Sequence, residues 1–147
     1  MNVISLLTPK AQVAYLYDDY TVRQGLEKLR AHGYTAIPVL SRDGGYVGTV
    51  SEGDFLWYMV DQRDNSLRAQ EKWPLKKVMR KTFNPAVSIR VPLEELLERA
   101  MRQSFIPVVD DRGAFVGIVT RQTIMRKLTV PNIQTEAPAK ECAQVVG

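Results

Sequence analysis

Residues 33–54 read GYTAIPVLSRDGGYVGTVSEGD, and the fold follows from this stretch. Ala36-Ile37-Pro38-Val39-Leu40 is a short apolar run bounded by turn formers, the pattern of a buried strand. Asp43-Gly44-Gly45 supplies turn chemistry, because glycine reaches positive φ without a Cβ clash. Tyr46 to Val50 reads as a second strand. Two strands joined by a short glycine-containing link predict a hairpin. Beyond it, Ser51 stands at an N-cap position with Asp54 a turn later, so Phe55 to Val60 is predicted as helix.

The stretch occurs twice. Residues 105–120, FIPVVDDRGAFVGIVT, repeat it: Pro38 aligns with Pro107, Gly44 with Gly113, Gly48 with Gly117 and Ser51 with Thr120. Upstream, Val22 to Leu26 aligns with Leu93 to Leu97 at a slightly longer offset, so the second copy is shorter between its helix and its strand. A repeat of this length is a small α/β unit, and two copies bury together what neither buries alone.

The rest of the chain fits that scheme. Val3 to Leu7 reads as a short helix stopped by Thr8-Pro9, and Val13 to Tyr17 as a β-favouring run. Thr21 is placed to cap a helix whose apolar face is Val22, Leu26 and Leu29, with Gly33 as its C-terminal cap. Asp61 to Lys72 reads as a helix end and polar connector, Leu75 to Arg80 as a short lead-in helix, and Val87 to Ile89 as a strand. Pro92 to Met101 has proline near the first turn and acids at the positive end of the helix dipole. Ile124 to Leu128 closes the second copy. The predicted fold is α/β (α+β): tandem β-α-β-β-α repeats over residues 1–66 and 67–130, packed with pseudo-two-fold symmetry. Residues 131–147 lack a sustained apolar period and are predicted to be a disordered tail.

Composition narrows the function. The chain has 147 residues with 45% hydrophobic content, enough for a core. No run is long enough and apolar enough to span a membrane, and the N-terminus lacks a signal-peptide pattern. Cys142 is the only cysteine, so no intramolecular disulfide forms, and a cytoplasmic location is expected. One histidine and one cysteine argue against a structural zinc site or a Cys-His nucleophile, and no phosphate-binding loop of the GxxxxGK[ST] type is present. A net charge of +4 favours anionic partners weakly. No basic cluster interleaved with aromatics marks a nucleic-acid surface.

The doubled unit, with IPV entering each hairpin and GTVS or GIVT leaving it, resembles the CBS domain (cystathionine-β-synthase domain). Residues 1–130 look like a stand-alone CBS pair. GYTAIPVL and FVGIVTR are similar to phrases in small CBS-pair proteins of Gram-positive bacteria. The resemblance implies a non-catalytic regulatory sensor that needs no cofactor. It implies an adenine nucleotide (AMP, ADP, ATP or cyclic di-AMP) bound between the repeats, a homodimer, and a regulated partner protein. The alternative is a structural homodimerisation module with a degenerate, empty cleft.

Adenine needs a flat apolar slot with polar groups at its edge. Val13, Ala14, Tyr34, Thr35, Ala36 and Pro38 are candidates to build it, and Phe105 joins the ligand-binding set. In the family an aspartate three residues after the Ser or Thr grips the ribose, which points to Ser51 and Asp54 here. Thr120 and Arg121, at a helix start, suit a phosphate. Thr123 stands where the second repeat would carry its aspartate. That predicts one mononucleotide site, or else a cyclic dinucleotide held by Thr35 and Arg121. Each residue also has a plainer reading: Asp54 as a helix-start acid, Thr120 as an N-cap, Arg121 as a solvated first-turn residue.

Overall fold

The computed structural model describes residues 2–129. The tail expected over 131–147 lies outside the described residues. In chain order the main elements are α1 (Val3–Leu6), β1 (Thr8–Pro9), β2 (Leu16–Tyr17), α2 (Val22–His32), β3 (Ala36–Leu40), β4 (Tyr46–Ser51), α3 (Glu52–Val60), α4 (Leu67–Gln70), β5 (Val87–Ser88), α5 (Leu93–Ala100), β6 (Phe105–Val109), β7 (Phe115–Thr120) and α6 (Arg121–Thr129).

Both predicted hairpins form, in equivalent registers. Ala36 faces Ser51 and Pro38 faces Thr49 across β3 and β4; Phe105 faces Thr120 and Pro107 faces Ile118 across β6 and β7. Both hairpins shift register at the same place, between Val39 and Leu40 and between Val108 and Val109. A parallel strand joins each, β2 on β3 and β5 on β6. Local chemistry explains the helices between them. Thr21 and Gln24 form a reciprocal capping box at the start of α2, and Gly33 ends it in the left-handed conformation at φ 68°.

The N-terminal segment departs from its reading. Thr8-Pro9 does stop α1, but it also forms β1, which pairs antiparallel with β7. The second sheet therefore has the order β1-β7-β6-β5, and the first is β2-β3-β4. Val3 and Leu6 bury their side chains with Val87, Leu96, Ile106 and Val119 in the core of the second repeat. Val13 to Tyr15 is not strand; only Leu16–Tyr17 is. The connector holds the one-turn helix α4, capped by Ser66. The lead-in to the second repeat is a 3-10 turn over Leu75–Lys77 rather than a helix running to Arg80.

The hairpin tips meet. Phe115 N–H donates to the Gly44 carbonyl at 2.9 Å, Tyr46 N–H donates to the Gly113 carbonyl at 3.4 Å, and the Tyr46 and Phe115 rings stack. Phe105, Phe115 and Ile118 enter the core of the first repeat beside Ile37, Val50 and Phe55. The repeats thus share apolar surface, as a doubled unit of this size requires.

Candidate functional site

Ser51 caps α3. Its hydroxyl accepts from Asp54 N–H at 3.3 Å, while the Asp54 carboxylate accepts from Ser51 N–H at 2.9 Å. The other Asp54 oxygen takes Arg80 Nε at 2.7 Å, and the carboxylate side chain is only 6% exposed. The Arg80 guanidinium lies over the Phe83 ring, 3.7 Å from its centroid. Both Asp54 oxygens are therefore engaged, one in the helix cap and one in an ion pair that leads to Phe83.

Phe83 belongs to the segment that enters the second repeat, and that segment is clamped by a buried polar network. Asn84, at φ 59°, donates from its amide to Thr49 Oγ1 at 3.2 Å. Its carbonyl accepts from the Tyr46 hydroxyl at 2.7 Å. Gln103 donates from its amide to Asn84 Oδ1 and to the Pro85 carbonyl, each at 2.9 Å. Asn tolerates the left-handed region better than most residues, and the surrounding bonds hold it there. The network ties β4 of the first repeat to the segment that follows α5 in the second.

Beside this segment lies a cavity of about 610 Å³, within the range of small-molecule sites. Its apolar walls are Ala36, Phe83, Pro85 and Phe105. Its polar lining is Thr82, Asn84, Gln103, Ser104 and three arginines, Arg99, Arg102 and Arg121, with no carboxylate among the described residues. It can enclose a flat ring against the phenylalanines and present cations to an anion.

Of the sequence-predicted residues, Ala36, Phe105 and Arg121 line this cavity. Ser51 and Asp54 adjoin it through Arg80 and Phe83. Thr120 is buried, and its hydroxyl is committed to Thr123, donating to Oγ1 at 2.7 Å and accepting from N–H at 3.1 Å. Pro38 is buried in the middle of β3 opposite Thr49. Val13 is buried in the first core, with Ala14 packed against it. The Thr35 carbonyl accepts from Glu52 N–H at 2.8 Å. Tyr34 lines a separate depression of about 350 Å³ with Leu26, Arg30, Glu52 and Phe55.

Comparison with known proteins gives the fold a family. The CBS domain model matches residues 4–61 and 75–130. The chain belongs to the CBS-domain family. An uncharacterized protein of Methanopyrus kandleri is 24% identical over 106 residues, 67% of this chain; the chain spans about half, 49%, of that curated relative. A CBS domain protein from Streptococcus pneumoniae superposes with TM-score 0.80 at 26% identity, covering 90% of this chain and 89% of that one. CbpB of Listeria monocytogenes, solved with c-di-AMP, gives TM-score 0.76 at 23% identity over 85% of this chain and 92% of its own. CBSX2, solved with AMP, gives 0.70 at 23% over 86% and 95%.

Sequence reasoning on this CBS pair missed most of the cavity. Thr82 to Pro85 precede β5 and carry no motif. Arg99 sits in the last turn of α5 and Arg102 two residues past its end, where basic residues are ordinary partners of the helix dipole. The available signal was topology: the β6–β7 hairpin returns the start of α6 to the C-terminal end of α5, which brings Arg121 to Arg99 and Arg102.

Proposed function

We propose that this chain is a non-catalytic regulatory sensor that binds an adenine nucleotide in the cavity of about 610 Å³ and signals occupancy to a partner protein. The observation that carries this is the lining: aromatic walls at Phe83 and Phe105, side-chain amides at Asn84 and Gln103, and three arginines with no carboxylate beside them in the lining among the described residues. Rings and phosphates need that combination. The c-di-AMP and AMP complexes of CBS proteins with this fold support the ligand class. Ala36, Phe105 and Arg121 are the predicted residues that meet the ligand. Asp54 meets a ribose only where Arg80 gives way.

The network through Asn84 supplies a route for the signal. A ligand that displaces Phe83 or Gln103 acts on bonds that also hold Tyr46 and Thr49 of the first repeat. It shifts the protein only by its differential affinity for the two arrangements. A second reading, a structural dimer with an empty cleft, is favoured by the closed Asp54–Arg80 pair.

A thermal-shift panel separates them, using AMP, ADP, ATP, S-adenosylmethionine, cyclic di-AMP and a guanine control. A ligand at about 100 times its Kd adds about 2.7 kcal/mol. At least one adenine nucleotide is expected to raise Tm while the guanine control does not. No shift with any of them overturns the sensor reading and leaves the structural dimer.

A further inference from the structure

Tyr15, Tyr17 and Tyr20 form a ladder at β2, an outer strand of the first sheet. Their rings meet edge to face, with centroids 5.7 Å and 5.8 Å apart, and all three are half-buried. Cations sit on the ladder. Arg42, in the turn between β3 and β4, holds its guanidinium 4.0 Å from the Tyr17 centroid and 5.7 Å from that of Tyr20. It donates to the Asp19 carboxylate from Nε at 2.7 Å and from a terminal nitrogen at 3.0 Å. Lys10 and Lys28 stand 5.4 Å and 5.6 Å from the Tyr15 centroid. Neither lysine has a carboxylate within ion-pair distance among the described residues. None of these residues lines the cavity.

The second repeat shows that the fold does not need this ladder. Tyr17 pairs with Leu40 at the end of β3 as Ser88 pairs with Val109 at the end of β6, so the two positions are equivalent. Ala86 and Val91 then stand where the first repeat has Tyr15 and Tyr20, and Arg90 stands where it has Asp19. Arg90 donates to Asp111 at 2.8 Å, so the link from loop to hairpin turn is kept with its charges exchanged. That link serves the architecture in both repeats. The rings and the cations over them occur in one repeat only, which leaves them to be explained by something other than folding.

A single-stranded nucleic acid asks for planes on which unpaired bases stack and for cations along its phosphates. Arg42 supplies a plane: one face rests on Tyr17, the side chain is 62% exposed, and Asp19 orients it before a partner arrives. Lys10 and Lys28 supply uncompensated charge on the neighbouring ring. A duplex keeps its bases in its own stack and meets only the charges. An acidic peptide likewise leaves the plane idle. The surface has no signature in the sequence because its cations come from three separate places: ahead of β2, within α2 and between β3 and β4.

We propose that Tyr17 and Arg42, with Lys10 and Lys28 beside them, form a docking surface for single-stranded nucleic acid. A base stacks on the Arg42 plane, and the backbone crosses Tyr15 to reach the two lysines. This surface is independent of the nucleotide reading of the cavity.

The test is fluorescence anisotropy of the full chain with a labelled oligothymidine of about ten nucleotides and a duplex of the same length, at about 0.05 M and about 0.2 M salt. The variants are Tyr17→Ser, the residue the second repeat holds there, Arg42→Lys, which keeps the charge and loses the plane, and Lys28→Gln. Arg90→Ala is the control. Tyr17 lies outside the packed core and Arg42 is exposed, so both variants are expected to fold, with circular dichroism as the check. Wild type is expected to bind the single strand and to bind the duplex at least about tenfold more weakly. Tyr17→Ser and Arg42→Lys are each expected to weaken the single strand about tenfold, the loss of one stacked base. Lys28→Gln should cost less and lower the salt slope by about one, and Arg90→Ala should change nothing. No binding at the lower salt overturns the proposal. So does equal affinity for duplex and single strand, or an Arg42→Lys protein that binds as well as wild type, either of which reduces the surface to plain positive charge. Oligoglutamate that displaces the labelled strand as well as unlabelled oligothymidine overturns it in favour of an acidic peptide.

Discussion

Tyr46 shows how much one side chain joins. Its hydroxyl bonds Thr49 and the Asn84 carbonyl, and its ring stacks on Phe115 of the other repeat. Burial pushes the phenol well above its ordinary value, with the Thr49 hydrogen bond a smaller opposing influence. A raised folded value sets the sign of the pH dependence. The stabilisation from the neutral phenol is complete below the unfolded value, about pH 10, and drains away as pH rises above it. Wild-type Tm should therefore fall as pH passes above about 10. Tyr46→Phe should flatten that fall. At neutral pH it should cost about 1–3 kcal/mol, because a buried carbonyl loses its donor. Thermal melts of both proteins from about pH 8 to about pH 11 check this. An equal alkaline slope in the variant would show that the phenol is not the titrating group.

At the scale of elements, what the sequence made legible was what its neighbours in the chain decide. The strands β3 and β6, the capping boxes of α2 and α3, and the Gly33 cap depend on residues a few positions apart. Thr8-Pro9 is different. Two residues, one of them proline, have no strand signature of their own, and they are a strand only because β7 is there to pair with. The cavity is half-legible for the same reason. Phe105 and Arg121 sit on motif edges, whereas Arg99, Arg102 and Asn84 gain their meaning from each other across loops. The β1–β7 pair has a distinctive weak point. A Cβ on Gly117 would come within 2.2 Å of the Thr8 carbonyl oxygen and 3.1 Å of Pro9 Cα, and backbone cannot yield as a flexible side chain would. Gly117→Ala is thus expected to push β1 off the sheet and expose Val3 and Leu6, at a cost of about 1–3 kcal/mol. Hydrogen exchange should show protection lost first over residues 2–9. Unchanged Tm and unchanged exchange there would mean that β1 contributes little to the second sheet.

For the molecule as a whole, α3 presents an unanswered apolar surface among the described residues. Its inner side is anchored by Asp54 and Phe55, yet Leu56, Trp57 and Val60 are 52%, 66% and 61% exposed. Single exposed apolar residues are ordinary, but three within one short helix, one of them tryptophan, form a patch. The homodimer expected from the family resemblance predicts that a second copy of the chain covers it. The helix starts at the Ser51–Asp54 cap, and Asp54 is tied through Arg80 to Phe83 on the cavity wall, so a second copy docked on α3 would sit one ion pair and one ring from the cavity. Sedimentation velocity at micromolar concentration should find wild type dimeric and Trp57→Glu monomeric. Because the indole is exposed in the protomer, the variant's circular dichroism should be unchanged and any loss of protomer stability should stay within about 0.5 kcal/mol. If the dimer also reports ligand occupancy, Arg80→Ala should leave assembly intact but uncouple it, so that nucleotide no longer changes the dimer dissociation constant. A monomeric wild type, or a Trp57→Glu dimer as tight as wild type, would place the interface elsewhere and leave the α3 patch for a different partner.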